Sequence, residues 1–296
     1  MNCSVHTGKE VPVALSIAGS DSCAGAGIQA DLKTFQAHGV YGLSAITAVT
    51  AQNTQGVYAV QEIDPEIVRK QILCLFQDMR IDAVKIGMVS SAEIIRAVAQ
   101  VLREKGPKAL VLDPVMVSKS GHELLKPQAR QALQQELIPL ADLITPNLQE
   151  AEVLLGRKIA SLEEMEGAAT ELGRLGAARG VLKGGHLEGC QAVDIYYEGE
   201  NLEYLQSEFI VTRNTHGTGC TFSSAIAACL ARGCSWLQAV QQAKEYVHLA
   251  IKHALTLGQG HGPTNHFFRF FQPNGFESAR QGKRDDKYKK GERDAG

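Results

Sequence analysis

Short apolar runs alternate along this chain with longer stretches in which apolar residues recur every three or four positions. Val11–Ala18 reads as a buried strand, followed by a glycine-rich turn and a helix over Ile28–His38. Leu43–Val49 is the next strand. Pro65–Met79 is the next helix, with Asp64 at its N-cap and Pro65 at its first position. Ala83–Ile86, Ala109–Leu112 and Ala141–Ile144 have strand length, and Ala92–Lys105 and Pro127–Leu137 between them have helical period. Val181–Lys183 reads as a further inner strand, and Ala192–Glu198 and Leu202–Phe209 flank Gly199-Glu200-Asn201 as a hairpin. Two long helices close the pattern, Thr218–Arg232 and Trp236–Leu257. In the second, Val240, Ala243, Val247, Ala250, Ile251 and Ala254 form one stripe. Such alternation predicts the α/β class: a three-layer α-β-α domain, its central sheet mostly parallel and covered by helices on both faces.

The pattern stops near the end. Glu277–Gly296 holds seven Lys/Arg and five Asp/Glu among Gly, Gln and Ser, too little apolar surface to offset its ordering entropy, so a disordered tail is expected. The expected organisation is an extension over 1–10, one folded domain over 11–272 and a charged tail over 273–296. A hydrophobic share of 44% with mean hydropathy of −0.11 is that of a soluble globular chain. A net charge of −2 leaves no basic field for nucleic acid or an anionic membrane. No apolar run approaches the roughly 20 residues that span a bilayer. Met1–Glu10 lacks the apolar core of a secretory signal, so a cytoplasmic location is expected, or a plastid-like stroma if a transit peptide has been removed. The seven cysteines are odd in number, form no CxxC and match no zinc spacing, so most are expected to be small buried hydrophobes.

The strongest chemical signal is Asn214-Thr215-His216-Gly217-Thr218-Gly219-Cys220-Thr221-Phe222, running into the apolar helix Ala225–Leu230. Gly217 and Gly219 let successive N–H groups turn toward one point, and the helix N-terminus adds partial positive charge. Such a cradle suits a phosphoryl group in flight, although a plain glycine turn with a threonine cap has the same local pattern. A thiol placed there, Cys220, is expected to ionise more readily than usual and to act as a base toward a substrate hydroxyl. Cys229 and Cys234 on the following helix read instead as buried hydrophobes.

Ile17-Ala18-Gly19-Ser20-Asp21-Ser22-Cys23-Ala24-Gly25-Ala26-Gly27-Ile28-Gln29-Ala30-Asp31 is a strand end, a glycine-rich loop and a helix start. It contains no GxxxxGK[ST] and lacks the third glycine of GxGxxG, which argues against a P-loop or a dinucleotide site. The loop suits close approach of a flat ligand at the carboxyl ends of the strands. Asp31 is either a helix-dipole partner or a ligand contact. Two further strand ends carry acids. Leu110–Met116 places Asp113 before Pro114, and Leu143–Glu150 sets Asn147 and Glu150 three apart on one helical face. Their oxygens suit Mg²⁺ beside nucleotide phosphates, and Asn147 with Glu150 equally forms a capping box. Gly180-Val181-Leu182-Lys183-Gly184-Gly185-His186 ends another strand with a cation, Lys183, which is either a phosphate contact or a solvated lysine.

The order of these motifs resembles a known family. IAGSDSCAGAGIQADLKTF, TAVTAQNTQGV, KIGM, LVLDPVM, LITPNLQEAEVLLG, VLKGGH and NTHGTGCTFSSAIAACLARG follow the bacterial hydroxymethylpyrimidine/phosphomethylpyrimidine kinases. Gly260-His261-Gly262-Pro263 and Asn265-His266-Phe267 are similar to that family's terminus, and the resemblance spans about Val11 to Phe271. It implies the ribokinase-like fold and phosphorylation of 4-amino-5-hydroxymethyl-2-methylpyrimidine, then of its monophosphate, in thiamine biosynthesis. ATP is the implied co-substrate and Mg²⁺ the implied metal. The implied partners are a small-molecule substrate and a second copy in a homodimer, with no nucleic acid and no membrane.

On the matching positions, the resemblance puts Gln52 on the aminopyrimidine edge, with Gly19, Asp31 and Met88 lining the same pocket. Gly217, Thr218 and Gly219 become the anion hole, and Cys220 stands where sugar kinases carry a catalytic Asp. Asp113, Asn147, Glu150 and Lys183 fall on the ATP side, with Asp113, Asn147 and Glu150 toward the metal, directly or through its waters. Cys23-Ala24 replace common glycines, which implies a stiffer loop. Two rivals stay open: a pyridoxal kinase, whose ring and hydroxymethyl group are similar, and a non-catalytic ligand-binding protein on the same fold. The joint presence of Asp113, Asn147, Glu150, Lys183 and Cys220 opposes the second.

Overall fold

A computed structural model describes residues 10–118, 121–185 and 191–270. The expected extension before residue 10, the tail over 273–296, His186, Cys3 and Cys190 lie outside the described residues. The chain divides into two units, Met1–His266 and Phe267–Gly296. The described part of the second is a short turn, Phe267–Phe270.

The first unit is built on nine strands: β1 (Val13–Asp21), β2 (Tyr41–Gln52), β3 (Val57–Glu62), β4 (Ala83–Ile86), β5 (Leu110–Leu112), β6 (Leu143–Ile144), β7 (Arg179–Lys183), β8 (Gln191–Glu198) and β9 (Asn201–Glu208). Their order across the sheet is β3-β2-β1-β4-β5-β6-β7-β8-β9. The inner pairs from β2 to β7 are parallel, and antiparallel pairings add β3 at one margin and β8 and β9 at the other. The helices are α1 (Gly27–Ala37), α2 (Pro65–Asp78), α3 (Ala92–Lys105), α4 (Pro127–Ala132), α5 (Leu148–Leu155), α6 (Leu162–Gly173), α7 (Thr218–Ala231) and α8 (Trp236–Lys252). The predicted α/β sandwich, mostly parallel, is the fold observed.

Side chains of a strand alternate between faces, and β1 shows what each face holds. Leu15 and Ile17 enter a large apolar core with Val68 and Ile72 of α2, Ile94 and Val98 of α3, and Met165 and Leu172 of α6. Each of these fully buried aliphatic side chains contributes roughly 1.5–3 kcal/mol. Ser16, on the opposite face, points to α1. The chain turns from β1 to β2 on one side and later reaches β4 on the other. β1 is therefore the switch point, where a crevice opens beyond the carboxyl ends of the strands.

Several boundaries differ from expectation. β1 starts at Val13 and runs on through Gly19-Ser20-Asp21, with an irregularity in register between Ala18 and Ser20. β3 has no counterpart in the sequence reading. It is a sheet margin exposed on both faces, with Tyr58 67% exposed, and so carries no clean alternation. The segment read as one helix over Pro127–Leu137 is α4 followed by a π-turn at Leu133–Leu137. The hairpin is as expected: Glu198 pairs with Asn201, and Gly199 takes the left-handed backbone (φ 61°) that such a tight turn needs. The cysteine expectation needs correction. Among the described cysteines Cys229 is buried, whereas Cys23, Cys220 and Cys234 are half-buried and Cys74 is exposed on α2.

Candidate active site

The carboxyl ends of the inner strands open into one cavity of about 790 Å³, within the size range of small-molecule sites. The lining is drawn from successive strand ends. Gly19–Asp21 end β1, Thr50 and Gln52 end β2, Met88 follows β4, Asp113 follows β5, Asn147 follows β6 and Lys183 ends β7. Val247, His248 and Ile251 of α8 and Phe209 after β9 also line it. So does the N-terminus of α7, with Gly217, Thr218, Gly219 and Cys220 all in the lining.

Two glycine-rich loops meet there. Gly217 is the N-cap of α7 with φ 76°, and no side chain caps that helix end. A Cβ on Gly217 would overlap the Gly25 carbonyl, so this position needs glycine for both its backbone and its space. α1 likewise begins with no side-chain cap, at Ala26. Of the two, the α7 N-terminus is the open one, a favourable setting for an anion, whereas at α1 the Ala26 N–H is already taken by the Asp21 carboxylate. The loop after β1 is folded around Asp21. Its carboxylate accepts from the backbone N–H groups of Cys23 (2.8 Å), Gly25 (3.1 Å) and Ala26 (2.8 Å), and from His216 Nε2 (2.8 Å). Burial pushes the Asp21 carboxyl up, but His216 and these N–H groups outweigh it and hold the group below its ordinary range.

Cys220 departs from expectation. Burial, with the Asp31 and Asp113 carboxylates, pushes its thiol up to about 11, against the opposing pull of Lys85 and the Gly27 N–H. Loss of hydration here outweighs the helix terminus, and the resting group is a thiol. Asp31 is also corrected. It is fully buried and does not line the cavity. It pairs with Lys85 Nζ at 2.8 and 2.9 Å and accepts 2.6 Å hydrogen bonds from Ser16 and Ser224, joining β1, α1, β4 and α7. Asp31 overcomes the burial that would pull the Lys85 ammonium down, so Lys85 keeps its charge below Cys220.

The acid-and-lysine cluster assembles as the strand ends suggest. Asp113 accepts from Thr145 Oγ1 at 3.1 Å and lies 3.3 Å from Lys183 Nζ. Both face the anion loop: a Cβ on Gly219 would lie 3.4 Å from Asp113 Oδ2 and 3.6 Å from Lys183 Nζ. Asn147 and Glu150 do form the capping box, Asn147 Oδ1 accepting from the Glu150 N–H and Glu150 Oε2 from the Asn147 N–H, each at 2.8 Å. Burial pushes Glu150 up to about 7, and Asp113 adds to this against the pull of Lys183. Two buried carboxylates set against one lysine are a donor set that suits a divalent cation. Asn147, with Oδ1 given to the cap, serves to hold Glu150.

Gly19 and Met88 are in contact, a Cβ on Gly19 reaching Met88 Sδ at 3.0 Å. Gln52 lies within 3.3 Å of both His216 and Thr50. Asp21, His216, Thr50 and Lys85 were assigned no role from sequence. Asp21 and His216 stand inside the motifs that were singled out, but 195 positions separate them, and no local spacing joins them.

Residues 21–265 match the family phosphomethylpyrimidine kinase. The chain belongs to this family. It is 54% identical over 263 residues to the hydroxymethylpyrimidine/phosphomethylpyrimidine kinase of Rhizobium meliloti, covering 88% of this chain and 98% of that one. The phosphomethylpyrimidine kinase structure from Clostridium difficile is 48% identical, with a TM-score of 0.73 over 82% of this chain and all of that one. An ADP complex of Bacillus subtilis pyridoxal kinase is 43% identical, with a TM-score of 0.83 over 89% of this chain and all of that one. As a member of this kinase family the chain is an enzyme, and its predicted ribokinase-like architecture stands. Among the described residues no helix is long and apolar enough to cross a membrane.

Proposed function

We propose that the protein transfers a phosphoryl group from ATP to the hydroxymethyl oxygen of 4-amino-5-hydroxymethyl-2-methylpyrimidine, and then to the monophosphate so formed, in thiamine biosynthesis. One observation carries this reading. The bare α7 N-terminus lines a single cavity with Gly19, Gln52 and Met88 and with Asp113, Glu150 and Lys183, its Gly217 packed on Gly25 of the first loop and its Gly219 beside Asp113 and Lys183. A hydroxyl on one side and a triphosphate on the other would then meet in line.

The alcohol would lie between Gln52 and Met88, its oxygen toward Cys220. Gly217–Cys220 N–H groups would hold the charge on the moving phosphoryl group, and Lys183 would meet the phosphates as a point charge. Asp113 and Glu150 are the residues that would hold Mg²⁺, which supplies neutralisation of phosphate charge when bound. Phosphoryl transfer of this type asks mainly for positioning and electrostatics. The alcohol proton leaves late, when its oxygen is already bonding to phosphorus, and its acceptor is the thiolate form of Cys220, a small fraction of the resting thiol. Cys220→Ser is expected to lower kcat about 100-fold; wild-type kcat would remove Cys220 from that role.

A pyridoxal kinase is the second reading, favoured by the likeness to the Bacillus subtilis enzyme. Gln52 supports the pyrimidine, because an amide pairs with an aminopyrimidine edge. ADP release measured with the pyrimidine alcohol, its monophosphate and pyridoxal side by side separates them. The proposal expects kcat/KM for both pyrimidines to exceed that for pyridoxal at least tenfold, and the reverse order would overturn it. A cytoplasmic homodimer belongs to the same reading, supported by the exposed Tyr58 and Val49 at the β3 margin of the sheet. A monomer mass in sedimentation would remove the dimer.

A further inference from the structure

The Gln52 carboxamide can lie in either of two senses, related by a half-turn that exchanges its oxygen and nitrogen. Its neighbours decide between them. One end lies 3.3 Å from His216 Nε2 and the other 3.3 Å from Thr50 Oγ1. His216 Nε2 also lies 2.8 Å from Asp21 Oδ2. Asp21 is held ionised by the hydrogen bonds around it and can only accept. The proton of that contact therefore belongs to His216 Nε2, which has no lone pair left for Gln52. The amide end facing His216 is the oxygen.

Thr50 accommodates the sense that His216 sets. Its hydroxyl can donate to the Ser20 carbonyl at 3.1 Å, a group that only accepts, and then offers a lone pair toward Gln52. The amide end on that side is then the NH₂ group. The opposite sense would set two donors face to face at His216 and would turn the Thr50 proton from Ser20 to Gln52. The rest of the residue is fixed as well. Ser22 Oγ accepts from the Gln52 N–H at 2.9 Å and donates to the Gln52 carbonyl at 2.8 Å. The His216 ring lies so close over Gly25 that a Cβ there would overlap it.

We propose that Asp21, His216 and Thr50 orient the Gln52 carboxamide, so that the cavity presents an acceptor on the His216 side and a donor on the Thr50 side. This deepens the pyrimidine reading and rests on it for the ligand. The matching edge is an N–H donor next to a ring-nitrogen acceptor, as on a 4-aminopyrimidine, with the amino group toward His216 and the ring nitrogen toward Thr50. A 4-pyrimidinone has the opposite order, a carbonyl acceptor next to a ring N–H. With its hydroxymethyl group held at Cys220 the ring cannot turn over to compensate. Asp21, His216 and Thr50 are positioning residues: they act through Gln52.

Two measurements test the proposal. Nitrogen-15 NMR of histidine-labelled enzyme without substrate is expected to find His216 protonated at Nε2, and a bare Nε2 overturns the proposal. The second compares kcat/KM for the 4-aminopyrimidine alcohol and its 4-pyrimidinone counterpart in wild type, Thr50→Ser and Thr50→Val. Wild type and Thr50→Ser are expected to favour the amino compound about 100-fold or more. Thr50→Val is expected to lose about tenfold of that preference, mostly through KM, since His216 alone still holds the oxygen end. Unchanged preference in Thr50→Val overturns the proposal. If wild type turns over neither alcohol, or if Thr50→Val does not fold, the histidine spectrum still decides the orientation. The first of those results counts against the pyrimidine reading instead.

Discussion

Asp31 and Lys85 are both fully buried, 2.8 Å apart, with the serine hydroxyls of β1 and α7 on the carboxylate. Removing one charge strands the other without water, which costs about 3–5 kcal/mol. Asp31→Asn is therefore expected to lower stability in chemical denaturation by that amount, as a scaffold residue would, without a selective rise in the KM of the alcohol. A normal denaturation midpoint with a raised KM would return Asp31 to the substrate pocket. Cys220 makes a second prediction. With its thiol pushed up to about 11, alkylation mapped to the Cys220 peptide is expected to quicken nearly tenfold per pH unit from pH 7 to pH 10. A plateau near pH 8 would show an ordinary or depressed thiol. The sequence did indicate that Cys220 sits at a helix mouth, since the glycines before it are local. It did not show the carboxylates beneath, which come from positions 31 and 113 and act only after folding.

The loop between β1 and α1 carries a residue in an unfavourable backbone. Ala24 has φ 61°, a left-handed conformation that a Cβ disfavours by about 1–2 kcal/mol. It stands where the family commonly has glycine. Ala24→Gly is expected to raise stability by about 1 kcal/mol, after allowing for the looser unfolded chain, and a loss of stability would contradict this. The segment after α8 makes a pH-dependent contribution. His266 contacts Thr221 of α7 at 3.0 Å, and burial with Lys33 lowers its pKa to about 4. Between about pH 6.5 and 4 the unfolded chain binds a proton that the folded chain refuses, so stability falls as pH is lowered through that window, by up to roughly 3 kcal/mol. Denaturation at pH 7 and pH 5 is expected to show a smaller pH loss in His266→Gln than in wild type; equal losses would exclude His266 as the source. Elements whose apolar period is their own, such as α3 and α8, were readable from the chain. β3 was not, because a margin strand exposed on both faces has no period to read.

Across the whole molecule, the sheet's switch at β1 gathers residues from positions 19 to 251 around one helix terminus. Asp113, Lys183 and the Gly217–Cys220 run were found in the sequence because each ends a strand or opens a helix, whereas Gln52 was reached only through the family resemblance. Their convergence is a property of the parallel topology, in which successive strands bring their carboxyl ends to one side. The contacts between the two glycine-rich loops, Asp21 with His216 and Gly25 with Gly217, depend on that convergence and have no local signature. Phosphoryl transfer across the α7 N-terminus is the claim on which the rest depends. Phosphorus-31 NMR of the enzyme with ATP, Mg²⁺ and the pyrimidine alcohol tests it most directly. The account predicts a phosphomonoester signal that grows with ADP and then gives way to a diphosphate; ADP with inorganic phosphate alone, or unchanged ATP, would contradict it.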